Sequence, residues 1–178
     1  MEHQEGFFQD ARGNSIFYQY WLPEGDPRAV VLIVHGLGEH SSRYGNVVDQ
    51  LVPNGYAVYT LDHIGHGKSD GMRMYVDRFS DYTDTLTLYL DMVRRWQPDK
   101  PVVLFGHSMG GLIAVVYLLD HQDAFVGAVI SAPAVRLPVG TSPLTLAMAR
   151  IFSRLLPKTG LTSLDPSFVS RDPQVVQA

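Results

Sequence analysis

The pentapeptide Gly106-His107-Ser108-Met109-Gly110 sets a serine between two glycines at the spacing that presents a hydroxyl for attack on an acyl carbon. It follows the apolar run Val102 to Phe105 and precedes an apolar segment from about Gly111 to Leu119, which read as a strand and a helix. A strand that turns this sharply into a helix strains the residue between them, and side chains at Gly106 or Gly110 would collide with the neighbouring strand and helix. Ser108 is therefore expected at the positive end of a helix. The backbone N–H of its successor, Met109, would face the same point, where an oxyanion would develop. A second donor is expected from His35-Gly36-Leu37-Gly38, a glycine-bearing loop after an earlier strand, with the Leu37 N–H as the candidate. The plainer alternative is an ordinary glycine-rich strand-to-helix turn, and only the flanking strand and helix favour the nucleophile.

Other chemistries fit these loops less well. Gly36-Leu37-Gly38-Glu39-His40-Ser41 lacks the third glycine and the helix-opening turn of a dinucleotide site, and Gly106 to Gly111 offers no Lys-Ser or Lys-Thr pair for a phosphate. In Asp62-His63-Ile64-Gly65-His66-Gly67-Lys68-Ser69, His63 and His66 are spaced like metal ligands, but no third histidine or further carboxylate is locally placed to complete a site. No metal and no cofactor is expected. Asp62 is expected to end its strand by accepting nearby backbone N–H bonds. His35, His40 and His107 read first as hydrogen-bonding residues that shape the loops.

The elements that must position these loops are legible from hydropathy. Extended stretches around Phe7-Phe8 and Ile16 to Trp21 flank Ala11-Arg12-Gly13-Asn14 and predict an antiparallel hairpin. Four short apolar runs rich in β-branched residues, Ala29 to Val34, Ala57 to Leu61, Val102 to Phe105 and Val126 to Ile130, predict buried parallel strands. Tyr82, Leu86, Tyr89, Leu90 and Val93 recur at helical spacing and predict a helix over Ser80 to Trp96, capped by Ser80, with Asp81 and Asp84 in its first turn and Arg94 and Arg95 in its last. Strands alternating with helices after a hairpin define an α/β protein with a mostly parallel, doubly wound sheet, whose ligands bind at the carboxyl ends of the strands. All three glycine-bearing loops fall at such ends. Past Ser131-Ala132-Pro133 the character changes to Pro, Gly and Ser turns and an apolar helix, which predicts a subdomain boundary.

Composition narrows the function classes. A chain of 178 residues with 46% hydrophobic content suffices for one core, and a net charge of −4 argues against a nucleic-acid partner, whose phosphates demand Lys and Arg. The absence of Cys excludes disulfides, thiolate metal sites and a cysteine nucleophile. Met1-Glu2-His3-Gln4-Glu5 is polar and acidic with no apolar stretch behind it, so a cytoplasmic protein is expected, and membrane contact, where present, is expected to be peripheral.

Taken in order, the segments His35 to Tyr44, Asp62 to Ser69 and Gly106 to Gly111 resemble the motifs of the monoacylglycerol lipase and lysophospholipase-like branch of the α/β-hydrolases, and the similarity covers essentially the whole chain. The resemblance implies an α/β-hydrolase fold, with residues 1–133 as the amino-terminal part of the core and 134–178 as the beginning of a cap. It implies a serine ester hydrolase that forms an acyl-enzyme on Ser108, with Leu37 and Met109 as oxyanion-hole donors. It further implies that Glu39 and Arg43 help form a polar pocket for the glycerol end of a single-chain acyl ester, monoacylglycerol above all. Glu39 and Arg43 also read as a surface ion pair. The same elbow serves thioesterases, peptidases and haloperoxidases, and a catalytically inactive module that binds a lipid or acyl ligand is a reading from another class.

In this fold the catalytic residues follow the order Ser, Asp or Glu, His. The only histidine after Ser108 is His121, at the far end of the helix that Ser108 opens and about 20 Å away at a helical rise of 1.5 Å per residue. The triad Asp and His are therefore expected beyond Ala178, supplied by a carboxy-terminal segment or a second polypeptide. Residues 1–178 alone are expected to be inactive and, because the strand from Val126 leaves an open apolar edge, poorly soluble. Ser142 to Lys158 is expected to be a cap helix whose stripe of Leu144, Met148, Ile151, Phe152 and Leu155, with Arg150, Arg154 and Lys158 nearby, either touches an anionic lipid surface or packs over the site.

Overall fold

The computed structural model describes residues 1–136 together with Ser142, Ala147 and Met148. Internal contacts divide the chain into Met1–Leu137 and Pro138–Ala178. The expected cap and its helix from Ser142 to Lys158 fall almost wholly outside the described residues.

The described fold is built around strand β3 (Ala29–Val34), six apolar residues buried along their whole length. Such a run has no solvent face, so it suits only the centre of a sheet covered on both sides. Strand β4 (Tyr56–Leu61) and strand β5 (Val102–His107) pair with it in parallel on either side, and β6 (Gly127–Ser131) pairs in parallel with β5. The expected hairpin forms as β1 (Glu2–Gln9) and β2 (Ser15–Leu22), and β2 joins β4 antiparallel. The sheet order is β1-β2-β4-β3-β5-β6. In the hairpin turn the Asp10 carboxylate accepts the Arg12 and Asn14 N–H groups at 2.8 Å, and Gly13 takes φ +82°.

Alternation along β3 sorts the core. Val31 and Ile33 join Trp21, Val58 and Val48 of helix α1 (Gly45–Leu51) on one face. Val30, Leu32 and Val34 meet helices α2 (Ser80–Trp96) and α3 (Met109–Asp120) on the other, through Leu86, Tyr89, Ile113 and Tyr117 among others. Hydropathy does not single out α1, because Val48 is the only residue of this short helix that is buried. The α2 boundaries match the expectation, but Phe79 rather than Ser80 occupies the cap position and makes no side-chain cap bond. In the first turn the Asp81 carboxylate accepts the Arg78 N–H at 3.1 Å and pairs with Arg12 at 2.8 Å. Helix α3 begins two residues earlier than expected, directly after Ser108.

The chain leaves β3 toward β4 and then crosses back to β5 on the opposite side. The sheet thus reverses direction between β3 and β5, the position at which open α/β sheets leave a crevice outside the strand ends. The loops after β3 and β5 carry Leu37 and Ser108.

Candidate active site

Ser108 sits between β5 and α3 at φ +52° and ψ −116°, a region that L-residues rarely adopt, at a strain cost of about 1–3 kcal/mol. Hydrogen bonds on both sides hold it there. Its N–H donates to the Ser131 carbonyl at 3.0 Å, and its own carbonyl accepts from Leu112 at 3.0 Å and Ala134 at 3.1 Å. The flanking glycines are required by close approach. A Cβ on Gly110 would strike the Val34 carbonyl oxygen, one on Gly106 would lie 2.8 Å from Ala114 Cβ, and one on Gly111 would lie 3.0 Å from Pro133 Cα. The β3 loop passes just as close, since a Cβ on Gly36 would stand 3.2 Å from Ser108 Cβ. Among the described residues, neither the Leu37 nor the Met109 N–H donates to a backbone carbonyl. Met109 is the first residue of α3, where backbone N–H groups have no intrahelical partner.

Of the residues proposed for the polar pocket, Glu39 lies close to the nucleophile's surroundings and Arg43 is exposed. A Cβ on Gly36 would come within 2.5 Å of Glu39 Oε1, and the same oxygen lies 3.7 Å from His107 Nε2. Glu39 is partly buried, whereas Arg43 is exposed and forms no ion pair with Glu39. The neighbour Tyr44 is buried, and burial first and the Glu39 carboxylate second push its hydroxyl pKa well above the usual tyrosine value. His107 Nδ1 lies 3.2 Å from Ser131 Oγ on β6. His121 ends α3 with its ring stacked on Tyr117 at 4.1 Å and Nδ1 3.0 Å from the Tyr117 carbonyl oxygen.

Asp62 does what its place at the end of β4 suggests. Its two carboxylate oxygens accept the Ser41 N–H at 2.7 Å and the Lys68 N–H at 2.8 Å, tying the loops after β3 and β4 together. Sequence reasoning missed the other tie, because nothing in it brings Gln19 of the hairpin to this loop. The buried Gln19 amide donates to Ser41 Oγ at 2.6 Å and Ser42 Oγ at 3.0 Å.

Three histidines cluster behind the β3 loop. The His35 ring centroid is 4.4 Å from that of His63 and 5.3 Å from that of His66, and all three residues are buried. Among the described residues, no group of three or more His, Cys, Asp or Glu side chains is arranged to hold a metal ion. Burial pushes His35 down to about 4, the bond to the Gly36 carbonyl opposing it only in part. Burial likewise lowers His66, and lowers His63 far below the usual histidine range. The folded state therefore holds these rings neutral where an unfolded chain, with a pKa near 6.5, takes up protons. Stability from this source is fully present above pH 6.5 and is lost as pH falls toward 4. Urea midpoints measured from pH 7.5 to 4.5 are expected to fall steeply below pH 6.5. A flat profile would contradict neutral burial.

A mostly parallel, doubly wound sheet, with a serine at positive φ after β5 and the β3 loop against it, defines an α/β-hydrolase. The chain belongs to the family described as serine aminopeptidase, S33, which it matches over residues 25–178. It is 37% identical to a monoacylglycerol lipase of Mycolicibacterium smegmatis over 98% of this chain and 62% of that protein. It is 35% identical to a monoglyceride lipase of Mus musculus over 92% and 54%. The solved structure of a Paleococcus ferrophilus monoacylglycerol lipase superposes with a TM-score of 0.73 at 32% identity, over 99% of this chain and 61% of that one. The chain thus spans between about half and two thirds of the length of these relatives. No helix among the described residues is long and apolar enough to cross a membrane.

Proposed function

We propose that the full-length protein is a carboxylic ester hydrolase acting on monoacylglycerols through an acyl-enzyme on Ser108. The observation that carries this reading is the strained Ser108 backbone, at φ +52°, with Gly36 packed against the serine. A strained serine opening a helix beside a loop with an unengaged N–H is what attack on an ester requires. In this reading Ser108 Oγ adds to the ester carbonyl, the Leu37 and Met109 N–H groups hold the oxyanion, and the glycerol end leaves as the alcohol, taking the proton that Ser108 gave up. The imidazole that takes the serine proton and the carboxylate that orients it come from a segment beyond residue 178, because His121 lies at the far end of α3 and is engaged there. The segment from Ser142 to Lys158 either touches an anionic lipid surface or packs over the site.

Glu39, beside His107, receives a hydroxyl of the glycerol end, with Arg43 at the rim. The substrate preference is supported by the monoacylglycerol lipase relatives, whereas the family description points to aminopeptidases. A comparison of monoglycerides, simple esters and aminoacyl amides as substrates separates the two. The expected result is preference for monoglycerides, with Glu39→Gln raising KM for them about tenfold while leaving simple esters unchanged, as loss of a single headgroup interaction predicts. Equal loss on both ester classes would remove the role of Glu39, and preference for aminoacyl amides would overturn the lipase reading.

A further inference from the structure

The imidazole of His35 is fully buried behind the β3 loop with both of its nitrogens engaged. The His63 N–H donates to Nε2 at 2.9 Å, so Nε2 is the acceptor and the ring proton belongs on Nδ1. Nδ1, 2.8 Å from the Gly36 carbonyl oxygen, then donates to it. The ring is thus a strut between the end of β4 and one particular peptide group.

That peptide group is the one that carries the Leu37 N–H. The Gly36 carbonyl and the Leu37 N–H belong to a single planar trans unit and point in opposite directions across it. Whatever fixes the carbonyl fixes the N–H. Restraint is needed here because a glycine precedes the plane and another, Gly38 at φ +70°, follows Leu37, so the chain on both sides turns freely. Among the described residues the Leu37 side chain is exposed, so packing holds it less firmly than the buried His35.

We infer that His35 is a positioning residue that aims the oxyanion donor by holding the opposite side of the donor's own peptide plane. The inference rests on the reading of Leu37 as that donor. It assigns His35 no contact with substrate and no proton transfer. Its effect should therefore appear in stabilisation of the tetrahedral state and not in ground-state binding.

Two substitutions divide the ring's functions. In His35→Asn the amide nitrogen stands near the position of Nδ1 and keeps the donor to Gly36. In His35→Gln the amide oxygen reaches toward the position of Nε2, keeping the acceptor for His63 and losing the donor. Both are made in the full-length protein, with end-point fluorophosphonate titration so that kcat is expressed per competent site and misfolded molecules do not count. His35→Gln is expected to lower kcat on a monoglyceride by about 10²-fold, the scale for losing one oxyanion donor, with KM within about threefold of wild type. An alkyl boronic acid, which forms a tetrahedral adduct on the serine, should bind more weakly to it by a similar factor. His35→Asn should keep kcat within about tenfold of wild type. Equal kcat per site in the two variants, or a His35→Gln protein that retains wild-type kcat and boronate affinity, would overturn the inference. Failure of the wild-type protein to label at Ser108 would overturn the functional reading beneath it as well.

Discussion

Replacing Ser108 with alanine is expected to abolish fluorophosphonate labelling and to reduce ester hydrolysis by the full-length protein by on the order of 10⁶-fold, the scale seen when a triad nucleophile is removed. The effect is large because the acyl-enzyme path disappears altogether, leaving the oxyanion donors and substrate binding to assist attack by water. Stability should change little. The bonds that hold this position, to Ser131, Leu112 and Ala134, all use Ser108 backbone atoms, and alanine adopts φ +52° at much the same cost as serine. A shift in unfolding free energy below about 1 kcal/mol is therefore expected. Intact-protein mass spectrometry after labelling, combined with urea melts, checks both halves. Undiminished turnover in the alanine variant, or label retained on another residue, would move the nucleophile elsewhere.

Gly110→Ala should act through the fold. The added Cβ would meet the Val34 carbonyl oxygen and would lie 2.5 Å from the His35 carbonyl oxygen, so both obstacles are backbone atoms at the end of the fully buried β3. A flexible side chain would swing away, but these carbonyls cannot move without shifting β3 or lifting α3 off the sheet. Overpacking of this kind is expected to cost more than about 4 kcal/mol, beyond the usual range for single substitutions. Gly127→Ala is the matched control. A Cβ there meets nothing within 4 Å, and its expected effect is below about 1 kcal/mol. Comparing the two urea midpoints tests the packing directly, and a Gly110→Ala protein as stable as Gly127→Ala would show that α3 is not seated as described.

The same close approach explains why so much of the elbow was legible in advance. Gly106, Ser108 and Gly110 lie within one turn of chain, and their task is set by the strand before them and the helix after them, both of which announce themselves by hydropathy. The central strand β3 was equally plain, since six consecutive apolar residues leave no solvent face. Ser80 shows the limit of such reading. It was expected to cap α2, yet Ser80 is the first helical residue and Phe79 holds the cap position, while Asp81 accepts the Arg78 N–H and pairs with Arg12 of the hairpin. The Arg12 that pairs with Asp81 lies 69 residues away in sequence, where no local pattern points to it.

By itself, then, the sequence determined the strands, helices α2 and α3 and the sharp turn at Ser108, because each depends on periodicity or on contacts between near neighbours, and their alternation placed three glycine-bearing loops at one end of the sheet, whereas the short α1 left no such signal. Only the tertiary structure decided what stands beside what at that end. It brought Glu39 near His107, tied Gln19 to Ser41 and Ser42, and set the His35 ring between His63 and the Gly36 carbonyl. These contacts arise because the sheet order β2-β4-β3-β5, which the crossing from β4 over β3 to β5 completes, lays loops far apart in sequence against one another. Hydropathy carries no record of that crossing, since every strand it joins is equally apolar.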